Sequence, residues 1–259
     1  MPITTIDEVL AVLETTIQQS IKSNNRIGYF AALYYKVTNR VKQGIANGEF
    51  EDGARMEALD VLFANRYLDA LAGWQQKRPI TASWKAAFES TEKASVLLLQ
   101  HLLLGINAHI NLDLGIAAAM VAQGHPLAAI KKDFAAINTI IASLTYEVLN
   151  DISRVSPLLS LLGLHATNYV SVLVQFSIGN ARDGAWSFAE DLSPTEGSAF
   201  GQMVVARDRT IAQLGGELVH VQGLMRVTCW LIHLFEWKKP ANITALLHGY
   251  TKKYFSYAQ

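Results

Sequence analysis

The sequence predicts an all-α fold, a single bundle-like domain of nine or ten helices around a buried central helix. Apolar residues recur at helical period from end to end, and no segment alternates as a half-buried strand would. The 259 residues contain no linker, repeat or low-complexity stretch, and 51% of them are hydrophobic, so residues 1–259 should share one core. Helix stop signals fall at regular places, and they set the element boundaries.

Thr4 or Thr5 can cap a first helix that runs to about Ser23, with Asp7 and Glu8 in its first turn, where acids suit the helix dipole. A second helix spans about Arg26 to Asn47 and is stopped by Gly48. A third covers about Ala54 to Gln76 and ends before Arg78-Pro79, because the residue preceding proline disfavours helix. Thr81 or Ser83 starts a short fourth helix leading into the central one, Gln100–Met120, which stops at Gly124 with Pro126 beyond. Leu127 to Arg154 is helical and closed by Ser156-Pro157; Leu158 to Leu164 is a short apolar piece, and Thr167 to Leu192 is again helical. After the loop DLSPTEGSA, a long pattern runs from Ala199 to Trp237, weakened at Gly215-Gly216. Pro240 breaks it, and a last helix covers Ile243 to Phe255.

Twenty-two basic residues balance 22 acidic ones with no basic run, which argues against nucleic-acid binding and against an anionic membrane surface. Cys229, the single cysteine, sits in the apolar stretch VTCWLI as a small core residue and suits a reducing compartment. The N-terminus has acids where a signal peptide needs basic and apolar regions. The richest apolar stretch, Val96 to Val121, is interrupted by Gln100, His101, Asn107, His109, Asn111 and Asp113. A cytoplasmic protein with no membrane span is expected.

That central stretch carries the chemistry. His101, Gly105, His109 and Asp113 follow at intervals of four, which places them on one slowly drifting stripe of a helix otherwise rich in Leu and Ile. Two imidazoles and a carboxylate there cost several kcal/mol unless paired, hydrogen-bonded or bound to metal. Helical projection turns further polar groups inward. Asp60 lies on the face of Met56, Leu59, Phe63, Tyr67 and Ala70, with Arg66 at its edge. Arg182 lies among Ile178, Ala181, Ala185 and Ala189, with Trp186 one turn on, and Asp208 falls with Val204, Ile211, Gly215 and Leu218.

Two readings follow. The structural one makes these groups buried ion pairs, Asp60 or Asp208 with Arg182 or Arg66, that lock helix register. The functional one brings Asp60, His101, His109, Asp113 and Arg182 to one internal cavity, with Asp208 as a weaker member and Tyr67 and Trp186 lining it. There, His109 and Asp113 can hold a divalent metal (zinc, iron or manganese) as an i, i+4 pair. Without metal, His109 can act as an acid or base with Asp113 fixing its tautomer, while Asp60 and Arg182 hold or polarise a substrate. Glu217 and His220 have the Glu-x-x-His spacing of di-iron bundles, but no second such pair exists. No Gly-x-Ser-x-Gly elbow and no Gly-rich phosphate loop is present. The remaining histidines, His125, His165 and His248, read as exposed or structural, and His233 is open between core and cavity. The expected function is an enzyme, hydrolase-like in its metal version, acting on a small, partly apolar molecule. The alternative is a binding protein for an apolar ligand. A small-molecule substrate or ligand is the expected partner, and a homo-oligomer is left open.

RIGYFAALYYKVT at 26–38, FEDGARMEALDVLFANRYLDAL at 50–71 and LLQHLLLGINAHINLDLGIA at 98–117 resemble a bacterial family of uncharacterised helical proteins, DUF5995, over most of the chain. That resemblance supports the helix boundaries and implies no activity. His109-x-x-x-Asp113 is also similar to the His-x-x-x-Asp zinc pair of the helical zinc phospholipase C and S1-type nuclease fold. The chain departs from that pattern, lacking an N-terminal Trp and a second His-x-x-x-Asp or His-x-x-x-Glu, so the likeness is one of chemistry alone.

Overall fold

Thr5 opens the first helix reciprocally: its hydroxyl accepts from the Glu8 N–H at 3.2 Å, and the Glu8 carboxylate accepts from the Thr5 N–H at 3.2 Å. In a computed structural model, which describes residues 3–159, 161, 178–236 and 239–249, this helix is α1 (Ile6–Ser23). Asn24, at φ 53°, ends it. The second helix, α2 (Ile27–Ala46), is followed by Gly48 at φ 70°. The third, α3 (Gly53–Gln75), is capped by Asp52, which accepts from the Arg55 N–H. Then come α4 (Ala82–Thr91), α5 (Leu98–Ala108), a π-helical segment (His109–Leu114) and α6 (Gly115–Val121). A short 3-10 turn (Leu127–Ile130) leads into α7 (Lys131–Val155). The remaining helices are α8 (Ile178–Leu192), α9 (Gly197–Val219), α10 (Gly223–Phe235) and α11 (Pro240–Leu247). No strand occurs among the described residues, and the all-α class is as expected.

The rod formed by α5, the π segment and α6 is the centre of the domain. It packs against α2, α3, α4, α7, α8 and α9, so apolar side chains fill nearly its whole circumference. By length and composition Leu98–Val121 could cross a membrane, but 89% of its most apolar window is buried inside the bundle. Close crossing with α8 depends on Gly115, where a Cβ would lie 2.8 Å from the Ala185 carbonyl oxygen and 2.9 Å from the Phe188 ring.

Three boundaries differ from expectation. The pattern from Ala199 to Trp237 is two helices, α9 and α10, bent by 71°. The break falls at 220–222, before Gly223 at φ 60°, because Gly215 stays helical where a Cβ would meet Asn107 Nδ2 at 3.2 Å. The last helix begins at Pro240 rather than Ile243, since proline suits a first turn whose N–H needs no partner. The central helix is also not uniformly α, since His109–Leu114 is π-helical. The expected start at Thr167, His165, most of the piece from Leu158 to Leu164, Trp237 and the end at Phe255 lie outside the described residues.

Alanine at Gly115 gains about 1 kcal/mol of helix propensity but forces a backbone carbonyl apart, a strain of about 1–3 kcal/mol. Gly115→Ala is therefore expected to lower Tm by several degrees. Gly201→Ala, in a helix with open space around the site, should hold or raise it in the same thermal melt.

Candidate functional site

His109 opens the π-helical segment, in which the helix takes in an extra residue per turn, a feature that concentrates at functional sites. Four residues on, Asp113 has no exposed surface. It keeps its place through two donors: Trp84 Nε1 at 2.7 Å on one oxygen and Arg66 Nε at 3.1 Å on the other. His109 Nδ1 lies 3.5 Å from the oxygen that Trp84 already holds, so it is a neighbour of Asp113 more than a firm partner. The imidazole stacks flat on Phe63, with centroids 3.5 Å apart and an interplanar angle of 8°. Tyr34 meets it edge-on at 4.5 Å, and Phe30 and Trp84 close the cage at 5.6 and 5.9 Å. Burial pushes the His109 pKa below the ordinary imidazole value, and Asp113 only partly opposes this, so the ring is neutral near pH 7. Neither ring nitrogen completes a hydrogen bond.

Beside this cage, α2, α3, the central rod and α7 line a partly open channel of about 220 Å³. Its walls are apolar: Leu33, Val37 and Val41 from α2, Met56 and Leu59 from α3, Leu102, Ile106 and Leu114 from the rod, and Ile141 and Val148 from α7. Four polar side chains interrupt them: Tyr34, Asp60, His109 and Arg182. Each has a buried polar atom without a hydrogen-bond partner among the described residues: the Tyr34 hydroxyl, Asp60 Oδ2, the His109 nitrogens and Arg182 Nε. Burial, with Glu57 adding to it, pushes the Asp60 carboxyl up to about 7. Burial also raises the Tyr34 phenol far above its usual range. Arg182 is brought down to about 10 by burial, against the opposing charge of Asp183, and stays a cation at neutral pH.

The structure thus brings Asp60, His109 and Arg182 to one channel and sets Asp113 and Tyr67 behind His109. Tyr67 packs edge-on against Phe30 at 5.1 Å, outside the channel wall. Three expected members lie elsewhere. His101 is two steps of four from His109, and the resulting drift of about 80° turns it toward α4. There Ser90 Oγ, which donates to the Ala87 carbonyl, accepts from His101 Nδ1 at 3.1 Å. Burial, reinforced by Arg26, lowers the His101 pKa to about 3. Trp186 drifts off the Arg182 face in the same way: its Nε1 donates to Glu190 at 2.8 Å and its ring packs on Phe134. Asp208 is buried as projected, yet it caps α4, accepting from the Ala82 and Ser83 N–H groups at 2.7 and 2.9 Å.

The expected ion pairs, Asp60 or Asp208 with Arg182 or Arg66, do not form; Arg66 pairs with Asp113 instead. Nor do His109 and Asp113 make a metal centre. Both Asp113 oxygens hold donors, one of them a guanidinium, and no group of three His, Cys, Asp or Glu side chains gathers among the described residues. Glu217 and His220 are likewise apart from the channel; His220 is exposed and its Nδ1 contacts the Gly216 carbonyl oxygen at 2.9 Å. The projection overlooked Tyr34, Phe63 and Trp84 as the walls around His109. Tyr34 was within reach, since Phe30, Tyr34, Val37 and Val41 repeat at helical spacing; Trp84 had no such signal, because α4 spans only 10 residues.

The family of unknown function DUF5995 matches residues 6–221, and the chain belongs to it. The range includes every residue of the channel and its cage. Neither curated proteins nor solved structures give a match.

A carboxyl whose pKa is about 7 in the fold, against about 4 in the unfolded chain, favours the folded state only while protonated. That contribution is full below about pH 4 and is lost as pH rises through 7, a swing of up to about 4 kcal/mol. Asp60→Asn cannot ionise. Its Tm should match the parent's near pH 4 and exceed it increasingly toward about pH 8. A difference that stays constant across that range, measured by calorimetry, would mean that Asp60 does not titrate this way.

Proposed function

We propose that this member of DUF5995 binds a small, partly apolar molecule inside the channel, with the polar part of the ligand among Tyr34, Asp60, His109 and Arg182. The observation that carries this reading is an apolar channel whose wall includes four polar residues, each with a buried polar atom that finds no partner among the described residues. Apolar side chains bordering an unfilled space of about 220 Å³ forgo part of their packing. Each buried polar group left without a partner adds a further 1–3 kcal/mol, roughly. An occupant with one polar end and an apolar body relieves both costs at once.

The neutral probe N-phenyl-1-naphthylamine should gain fluorescence on binding the purified protein. Ile106→Trp, which fills the channel from the central rod, should abolish that gain while keeping the helical circular dichroism and a Tm at least equal to the parent's. No probe binding by the parent protein would defeat the reading.

A second reading, acid–base catalysis on the bound molecule, is favoured by one observation. A neutral imidazole and a carboxyl that titrates near 7 line the same channel. In ester hydrolysis His109 would take a proton from the attacking water, and protonated Asp60 would give one to the leaving oxygen. Cleavage of p-nitrophenyl esters should then rise with acyl chain length. His109→Gln should lose that cleavage yet still bind N-phenyl-1-naphthylamine; unchanged turnover in this variant would remove the catalytic reading and leave binding in place.

A further inference from the structure

The two ends of the channel differ. Arg182 packs on Phe134, one turn from Ile137 near the start of α7, and Val41, Met56 and Leu114 belong to the same apolar cluster. Ile152 lies 15 residues further along α7, about 22 Å of helix, and shares its cluster with Leu102. The channel is therefore long and narrow. Arg182 lines one end, and the described residues that line the far end are hydrocarbon.

Arg182 is 2% exposed. One of its nitrogens donates to the Phe134 carbonyl, its guanidinium carbon sits 4.4 Å from the centre of the Phe134 ring, and Nε has no partner. Among the described residues no carboxylate lies within ion-pairing distance of it. The other buried carboxylates are committed. Asp113 holds Arg66, Asp133 holds Arg55 and Asp151 holds Lys36, while Asp208 caps α4. Asp60 relieves its own burial by taking a proton. An arginine has no such escape, and its cation in an apolar setting costs several kcal/mol unless an anion meets it.

Resting on the reading that the channel binds a partly apolar molecule, we propose that its ligand is a single-chain carboxylate. The head meets Arg182 and the hydrocarbon tail runs toward Leu102 and Ile152. The planar guanidinium fork suits a carboxylate, and the rest of the ligand needs only apolar contact.

Three probes with the same chain, dodecanoate, dodecanol and dodecylamine, separate the head from the tail. Each is titrated below its micellar concentration against protein loaded with N-phenyl-1-naphthylamine. Dodecanoate should displace the probe at a concentration about tenfold lower than dodecanol, and dodecylamine should be the weakest. In Arg182→Met the preference for dodecanoate should vanish while dodecanol affinity holds within about twofold. Dodecanol or dodecylamine binding as tightly as dodecanoate would overturn the proposal and leave apolar binding intact, as would an unchanged preference in a folded Arg182→Met. Failure of all three, with no binding of N-phenyl-1-naphthylamine itself, would remove the underlying reading as well. Should Arg182→Met not fold, the series on the unaltered protein decides.

Discussion

Asp113 is fully enclosed, and a carboxylate in that position is tolerable only because its donors come from separate elements. Trp84 brings α4 to it, Arg66 brings α3, and the carboxylate itself sits on the π segment of the central rod. One charge therefore joins three helices at the middle of the bundle. The ring of His109 lies against the same junction, held between the Phe63 face and the edges of Tyr34 and Phe30. Were the rod α-helical throughout, Asp113 would be rotated relative to Ala117 and Ala118, which must stay small-side-inward in the core around α6 and α8. The π segment reconciles the two demands by shifting register between them.

The other buried carboxylates follow the same logic at the ends of helices. Asp133 accepts from the Glu51 and Asp52 N–H groups and from Arg55, which fastens the start of α3 to α7. Asp208 replaces the missing Thr81 cap of α4 from a helix 126 residues away. Asp151 takes Lys36 at 2.9 Å, tying α7 to α2 across the flank of the channel. Each removes an exposed backbone donor or neutralises a cation, so each has a structural reason to be buried. These contacts also fix the spacing of α2, α3, α4 and α7, which sets the width of the space between them.

Helix boundaries were legible because they are local. Thr5 with Glu8, Gly48, Pro79 and Gly124 each act on the backbone within a turn of themselves. The inward placement of Asp60, His109, Asp113, Arg182 and Asp208 was legible too, since projection needs only the period of 3.6 residues. What each of them faces was not. Asp208 and Asp60 look alike in projection, yet one caps a helix end and the other lines the channel wall, a difference made by helix packing over more than a hundred residues of separation. The drift of a four-residue stripe separated His101 from His109, and the π segment cannot be told from an α-helix by apolar spacing over six residues. The break before Gly223 was not foreseen; the pattern read as one helix weakened at Gly215-Gly216, since composition shows a glycine but not the Asn107 amide packed against it.

The contrast between these two kinds of buried charge is what separates a site from a scaffold. An apolar residue at position 60 or 182 would fill the channel wall and remove a desolvation cost, and no hydrogen bond that holds helices together would go with Asp60. For Arg182 the ties lost among the described residues are the hydrogen bond to the Phe134 carbonyl and the packing on the Phe134 ring. Asp60 on α3 and Arg182 on α8 line the same space without forming an ion pair, and burial raises Asp60 toward its neutral form. Unpaired on the wall of an apolar channel, with Tyr34 on α2 and His109 on the rod, they leave it open. Stability alone selects against that arrangement at each of its positions. That cost is what the proposed occupant would offset, and under that proposal the Arg182 end of the channel sets which way round the occupant would lie.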